Sequence, residues 1–378
     1  MRARIRSLLV NLCLLAVTTA VTCAAAEIGL RLFRPQPLEA AYVWPDGTLR
    51  HIPSFVYRYS RPGFSNLVSF NALGLRGPEV AAGKRAGVPR VLFLGDSFVE
   101  GKQVADDEVL TSVISRLAAR DGRPLEVINA GVAGYGTTDE LLLWEKLGRS
   151  LRPDLVVVGF YPNDVRNNLE RRWFVLRDGA IVPGHAPHLP KVRWIYDLRK
   201  LLASHSHLWM LLKAGKTAWH EREEEAIREE EETKEGVPLQ PGLLETEDVF
   251  AIEPSAEIAR GWTLTEALLS ELKRRVDSAG ARFVLAVFPS RYQVDDALWR
   301  AHAAAAGLDP DRYDMEIPDR RLAAWAASTG TEIVDLLPDF RSRNTGNSFY
   351  FSIDAHWNPA GQELAGEVIY RGLRPAGF

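Results

Sequence analysis

Cysteine is nearly absent from this chain. Of 378 residues only Cys13 and Cys23 are cysteines, and from residue 24 onward there are none. That excludes a disulfide framework and a thiol nucleophile from everything beyond the extreme N-terminus. An excess of one charge is lacking too. Lys and Arg number 46 against 49 Asp and Glu, a net charge of −3, so no global field favours nucleic acid as a partner. A P-loop, zinc-type Cys/His spacing and internal repeats are also missing. Among the histidines, His185, His188, His205, His207 and His220 share one polar stretch, but their spacing makes no metal site. Neither a metal nor a cofactor is expected.

Long apolar runs are rare as well, with one exception at the start. Arg2, Arg4 and Arg6 precede an uncharged stretch from Leu8 to Ala26, enough helix to cross a bilayer core of about 30 Å. Positive charge before the span favours a cytoplasmic N-terminus and an exported remainder. Ala24, Ala25 and Ala26 also offer a small-residue cleavage site, so a removed signal peptide is the alternative. The run exceeds the usual signal core of about 7–15 residues, which favours a retained anchor. The expected location is the inner membrane, single-pass, with the main domain on the periplasmic side; secretion after cleavage is the alternative.

Residues 27–90 are rich in Pro, aromatic and Arg residues without sustained periodicity, and read as a connecting arm. Beyond them the pattern becomes regular. Arg90–Leu94 and Leu155–Phe160 are short apolar runs, as expected of strands buried on both faces. Strands at 91–94, 125–129, 155–160, 281–288 and 332–336 alternate with helices at 106–120, 138–150, 258–279, 319–329 and from Pro359. Such alternation specifies α/β class: a doubly wound, flavodoxin-like three-layer sandwich with a parallel sheet, here with an N-terminal transmembrane helix and a helical insertion. The expected domains are 1–26 (anchor or signal), 27–90 (arm) and 91–378, with the insertion at about 165–257 breaking the alternation. Within the insertion, Glu221–Glu235 holds nine Glu against three Arg or Lys, the composition of a solvated face. Trp194, Trp209 and Trp219 make 194–220 a candidate membrane- or protein-facing segment.

Open parallel sheets bind ligands beyond the carboxyl ends of their strands. In this chain those ends carry Gly95-Asp96-Ser97, Gly131 to Gly136 with Gly134 within it, and Tyr161-Pro162-Asn163-Asp164; Asp354-Ala355-His356 precedes the last helix. These residue types suit acyl transfer. A serine hydroxyl needs a base, histidine has a suitable pKa, and a carboxylate fixes its tautomer. Backbone N–H groups and an Asn amide can stabilise the oxyanion. Each residue also has a plainer reading: Ser97 as a helix cap, Asn163 and Asp164 as turn residues, Gly134 as a conformational glycine, His356 as a buried histidine beside Trp357.

In that order and at those positions the motifs resemble the blocks of the SGNH/GDSL hydrolases. The resemblance covers about 91–164 and 281–375. It implies Ser97 as nucleophile, His356 as general base and then acid, and Asp354 as its partner. It further implies an oxyanion hole from Ser97 and Gly134 N–H groups with the Asn163 side chain. The arm segment Asn71–Pro78 is similar to the stretch preceding the catalytic domain in exported bacterial members. One departure stands out: a single residue separates Asp354 from His356, whereas the family's Asp usually lies three residues before the His. The Asp-x-His-Trp form resembles the alginate-acetylation branch, and a displaced carboxylate would leave a Ser–His dyad. The resulting expectation is a serine esterase acting on an acyl, mainly acetyl, ester of a small envelope substrate or acylated glycan. The alternatives are an O-acetyltransferase for an exported polysaccharide and a non-catalytic glycan- or partner-binding envelope protein. Trp299, Trp325 and Trp357 are candidates for stacking on sugar rings or for core positions.

Overall fold

Strands that are apolar at every position cannot leave either face to water, so helices must cover both. The computed structural model describes residues 2–36, 38–61, 63–171, 173–184, 193–215, 247–346, 348–352 and 354–373. In chain order, α1 (Arg2–Phe33) precedes two antiparallel hairpins, β1 (Ala41–Val43) with β2 (Leu49–His51) and β3 (Val56–Arg61) with β4 (Phe64–Ser69). Then come β5 (Arg90–Gly95), α2 (Ser97–Glu100), α3 (Leu110–Arg120), β6 (Glu126–Gly131), α4 (Thr137–Lys146), β7 (Leu155–Phe160) and α5 (Asp164–Arg171). A hairpin of β8 (Phe174–Arg177) and β9 (Ala180–Pro183), then helices α6 (Arg193–His205) and α7 (207–215), fall in the insertion. After α8 (Ala256–Ser278) follow β10 (Arg282–Val287), α9 (Arg291–Val294), α10 (Asp296–Ala305), α11 (Ile317–Thr329), β11 (Glu332–Asp335), α12 (Leu337–Arg343) and α13 (Pro359–Leu373).

Five strands make one parallel sheet in the order β11-β10-β7-β5-β6. Counted along the chain this is the flavodoxin-like order 2-1-3-4-5, as the sequence pattern predicts. Odd and even positions of each strand feed different layers. Leu92, Leu94, Val156, Val158 and Leu285 pack with Trp144, Trp262, Leu269 and Leu322 of α4, α8 and α11. Val91, Phe93, Val157 and Val284 pack with Val113, Ile114, Leu337 and Ile369 of α3, α12 and α13. Trp299, Trp325 and Trp357 are all buried, so the sugar-stacking alternative for them fails.

Two compact units form. The unit containing the sheet comprises residues 41–189 and 240–378, so most of the stretch read as a connecting arm is part of it. Tyr42, Tyr57, Val68, Phe70 and Leu75 are buried there. These strands are short or of mixed polarity, which is why this packing is invisible in the sequence. The insertion is likewise divided: its first part supplies α5 and the β8–β9 hairpin to the sheet-bearing unit, so it is not wholly helical.

The second unit groups the described residues of 1–40 with those of 190–239. Over Ile5–Phe33, α1 is long and apolar enough to cross a membrane, and its apolar side chains are exposed. At its end the Glu27 carboxylate accepts hydrogen bonds from the N–H groups of His207 (3.0 Å) and Leu208 (2.9 Å), capping α7, while Arg31 donates to the His205 carbonyl at 2.7 Å. Trp194 is exposed on α6; the Glu221–Glu235 run and Trp219 lie outside the described residues.

Within the sheet, one local feature decides where α2 can sit. Gly95 is paired with Gly131 on one side and Gly159 on the other, a row of glycines across three adjacent strand ends. A Cβ at Gly95 would lie 2.4 Å from Val99 Cγ2, one at Gly131 2.7 Å from Val99 Cβ, and one at Gly159 2.8 Å from Val99 Cγ2. The row is the seat for Val99, and so for the turn that carries Ser97. Gly159→Ala would also press a methyl to 2.4 Å from the buried Phe288 ring. It is expected to destabilise the chain by roughly 1–3 kcal/mol through overpacking, read as a lower urea midpoint. Gly83→Ala, which meets open space, should leave the midpoint unchanged.

Candidate active site

The turn after β5 is built from Gly95-Asp96-Ser97. The Asp96 side chain, not that of Ser97, caps α2 by accepting the Phe98 N–H at 2.8 Å. This leaves the Ser97 hydroxyl free for another partner. Its Oγ lies 2.7 Å from His356 Nε2, although 259 residues separate the two. His356 Nδ1 in turn bonds Asp354 Oδ1, which also accepts the His356 backbone N–H at 3.0 Å. An Nδ1–H donor to Asp354 leaves Nε2 as the acceptor for the Ser97 proton. The short Asp-x-His spacing therefore does not misplace the carboxylate: the chain curls so that Asp354 meets both the backbone and the ring two residues on. Partial burial works to raise the Asp354 pKa, but the bond to His356 and its charge hold it below the usual carboxylate range.

Packing holds this trio in place. Trp357 is fully buried against Phe98, Phe288 and Phe340, and the Phe98 ring lies 5.0 Å from that of His356. The Phe351 N–H donates to the His356 carbonyl at 3.1 Å. Gln362 of α13 accepts the Leu110 N–H at 2.8 Å and donates to the Phe98 carbonyl at 3.1 Å, tying the last helix to the nucleophile turn.

Gly134 and Asn163 follow β6 and β7, the two neighbours of β5, at the carboxyl edge where the strand order reverses. Gly134 has φ of 78° in a turn closed by a Tyr135 N–H to Val132 carbonyl bond of 3.1 Å, a backbone that does favour glycine. Its carbonyl accepts from Arg171 at 3.3 Å. Its N–H donates to no acceptor among the described residues. The Asn163 carbonyl accepts the N–H groups of Arg166 and Asn167 at the start of α5, and its side chain lies beside the Asp96 carboxylate.

Several polar groups here form a buried set that the sequence motifs do not announce. Asp96, Glu140 and Asp164 are buried together, and among the described residues the carboxyl oxygens of Glu140 and Asp164 have no hydrogen-bond partner. Burial, followed by the charges of Asp96 and Asp139, pushes Glu140 well above the carboxylate range; burial, followed by Glu140 and Asp96, does the same for Asp164. Burial brings Asp96 up to about 6, against the Phe98 N–H and the charge of His356. Glu100 is also buried, between His51 and the Ala133 N–H. For Glu140 and Glu100, only an acidic residue at an otherwise buried helix position would have signalled this.

Comparison with known proteins adds an independent line. Residues 246–377 match the family model of the SGNH hydrolase-like domain, acetyltransferase AlgX. This agrees with the resemblance read from the motifs, the SGNH superfamily and its alginate-acetylation branch. A search of curated proteins finds no match. Similar solved structures include an acetyl-xylooligosaccharide esterase (Axe2) mutant from Geobacillus, at 15% identity over 78% of this chain and 97% of that one, TM-score 0.41. They also include TesA, at 13% identity over 76% and 98%, TM-score 0.40, and the acetyl xylan esterase AlAXEase, at 13% identity over 75% and 99%, TM-score 0.41.

The buried carboxyls generate a pH signature. A carboxyl whose folded pKa is raised binds more protons folded than unfolded, so stability falls as pH rises above the unfolded value, 4.5 for Glu140. Glu140→Gln removes one such group. The expected outcome is a melting temperature that declines less steeply between pH 5 and 8 than in the unmodified chain; an unchanged slope would show that Glu140 does not bear the proton.

Proposed function

We propose that this chain is a serine esterase acting on an acetyl or other short acyl ester through an acyl-serine intermediate. The observation that carries the reading is the 2.7 Å contact between Ser97 Oγ and His356 Nε2. Ser97 Oγ attacks the ester carbonyl as His356 Nε2 takes its proton, giving a tetrahedral oxyanion. Asp354 stabilises the imidazolium. The N–H groups of Ser97 and Gly134 and the Asn163 amide supply the oxyanion donors. Collapse breaks the bond to the alcohol, which leaves with the proton from His356, and the acyl group stays on Ser97. A second nucleophile, deprotonated by His356, then releases it.

That nucleophile defines the second reading. Water gives an esterase; a sugar hydroxyl gives an O-acetyltransferase, which the match to the AlgX acetyltransferase domain favours. In either case the substrate class proposed is an acylated glycan or small envelope ester. The apolar α1 supports an extracytoplasmic domain held at the inner membrane, or released if α1 acts as a signal sequence. A non-catalytic binding protein has no need to bring Ser97 and His356 together, and their contact speaks against it.

The test compares p-nitrophenyl acetate hydrolysis by the full chain and by Ser97→Ala, with and without acceptor glycans. Ser97→Ala is expected to lose at least about 10³-fold in kcat. Equal rates would overturn the esterase reading. Acetyl-sugar formation that depends on the acceptor, with little release to water, would select transfer.

A further inference from the structure

We infer that Glu100 is a positioning residue for the turn that presents the Gly134 N–H, and that the N-terminal segment bearing His51 is thereby part of the active site. The inference rests on the acyl-serine reading above. Glu100 closes α2, three residues after Ser97, and is 1% exposed. A buried carboxylate costs several kcal/mol unless it is paired and hydrogen-bonded. Both its oxygens are satisfied, by partners on different elements. Oε1 lies 3.1 Å from His51 Nε2, and Oε2 accepts the Ala133 N–H at 2.7 Å. Burial works to raise its pKa, but Lys102, His51 and the Ala133 N–H together hold it well below the usual carboxylate range. The Ala133 bond therefore has an ionised acceptor, and such bonds are roughly twice as strong as neutral ones.

The placement of that bond matters more than its strength. Ala133 and Gly134 are the two central residues of the Val132–Tyr135 turn, and the peptide joining them carries the Gly134 N–H. That peptide can rotate with little movement of the turn's ends, which would re-aim the N–H away from a developing oxyanion. Held points surround it: Val132 N–H on the Gly95 carbonyl at 3.1 Å, Gly134 carbonyl on Arg171, and Tyr135 carbonyl on Asn167 at 2.9 Å. The Glu100 bond fixes the preceding Val132–Ala133 peptide, the N-terminal pivot of that rotation. Because Glu100 and Ser97 share one short helix, the same rigid piece sets nucleophile and oxyanion turn.

His51 holds the other oxygen. Its ring is stacked on Phe70 with centroids 3.8 Å apart, and its backbone N–H donates to the Gly74 carbonyl at 3.2 Å. Gly74 has φ of 68°, and a Cβ there would lie 2.3 Å from the His51 carbonyl oxygen, so this approach requires glycine. Arg76, two residues further, donates to the Glu100 carbonyl at 2.6 Å. The segment thus grips Glu100 by its side chain and its backbone.

The test uses the full chain with Glu100→Ala, Glu100→Gln and His51→Phe. Active sites are counted by the p-nitrophenolate released from a p-nitrophenyl phosphonate, and kcat for p-nitrophenyl acetate is expressed per counted site. Glu100→Ala is expected to lose about 10²-fold in kcat per site, with KM within about twofold, as for loss of one oxyanion donor. Glu100→Gln keeps an acceptor for Ala133 and should recover to within about tenfold of the unmodified rate. A purely structural role would lower the number of sites and leave the rate per site unchanged, and that result overturns the inference. Amide hydrogen exchange gives a reading independent of activity: residues 131–136 should exchange at least about tenfold faster in Glu100→Ala, while the central strands do not change. Unchanged exchange at 133–134 also overturns it. If the unmodified chain neither hydrolyses the ester nor reacts with the phosphonate, the acyl-serine reading fails, and exchange alone decides whether Glu100 clamps the turn. Should Glu100→Ala not fold, His51→Phe carries the test with an expected loss of about tenfold; an unmodified rate per site there removes the N-terminal segment's part.

Discussion

Val99 occupies space that three side chains would otherwise fill. Its seat on Gly95, Gly131 and Gly159, paired across adjacent strands, brings a four-residue helix down onto the carboxyl edge of the sheet. The rest of the site follows from that approach. Ser97 points to the rim, Asp96 turns inward to cap Phe98, and Glu100 is buried deeply enough to reach the next loop. Interiors as dense as crystals do not tolerate an added methyl at such a contact, so the constraint is steric before it is chemical.

A second constraint is electrostatic. The floor beneath Ser97 carries Asp96, Glu140 and Asp164, acids that burial drives toward their neutral forms. Glu100 and Asp354 are held ionised by their partners instead. Neighbouring carboxyls are thus shifted in opposite directions by environment alone. The two held low have oxygens that orient the His356 ring and the Ala133 N–H.

Much of this was legible in the sequence, for identifiable reasons. Strands such as Leu155–Phe160 are apolar at every position and so declare themselves, and their ends point to Ser97, Gly134 and Asn163. Asp354 and His356 are recognisable as a pair, although only coordinates show that a one-residue separation still lets the carboxylate meet both ring and backbone. The two hairpins before β5 were not legible, because their strands mix polar and apolar residues and their burial depends on partners distant in the chain. His51 and Glu100 were missed for the same reason: each is an ordinary polar residue until the fold places them 3.1 Å apart. The tryptophans at 299, 325 and 357 carry the opposite lesson, since ring size alone does not separate a core residue from a sugar platform.

The central claim is that an acyl group resides on Ser97 while His356 shuttles the proton. Rapid-quench mass spectrometry of the full chain mixed with p-nitrophenyl acetate tests it directly. The account predicts one acetyl group on the peptide containing Ser97, formed in the unmodified chain and not in His356→Ala. Turnover with no acetyl on that peptide, or acetyl on Ser97 at the same rate without His356, would contradict it.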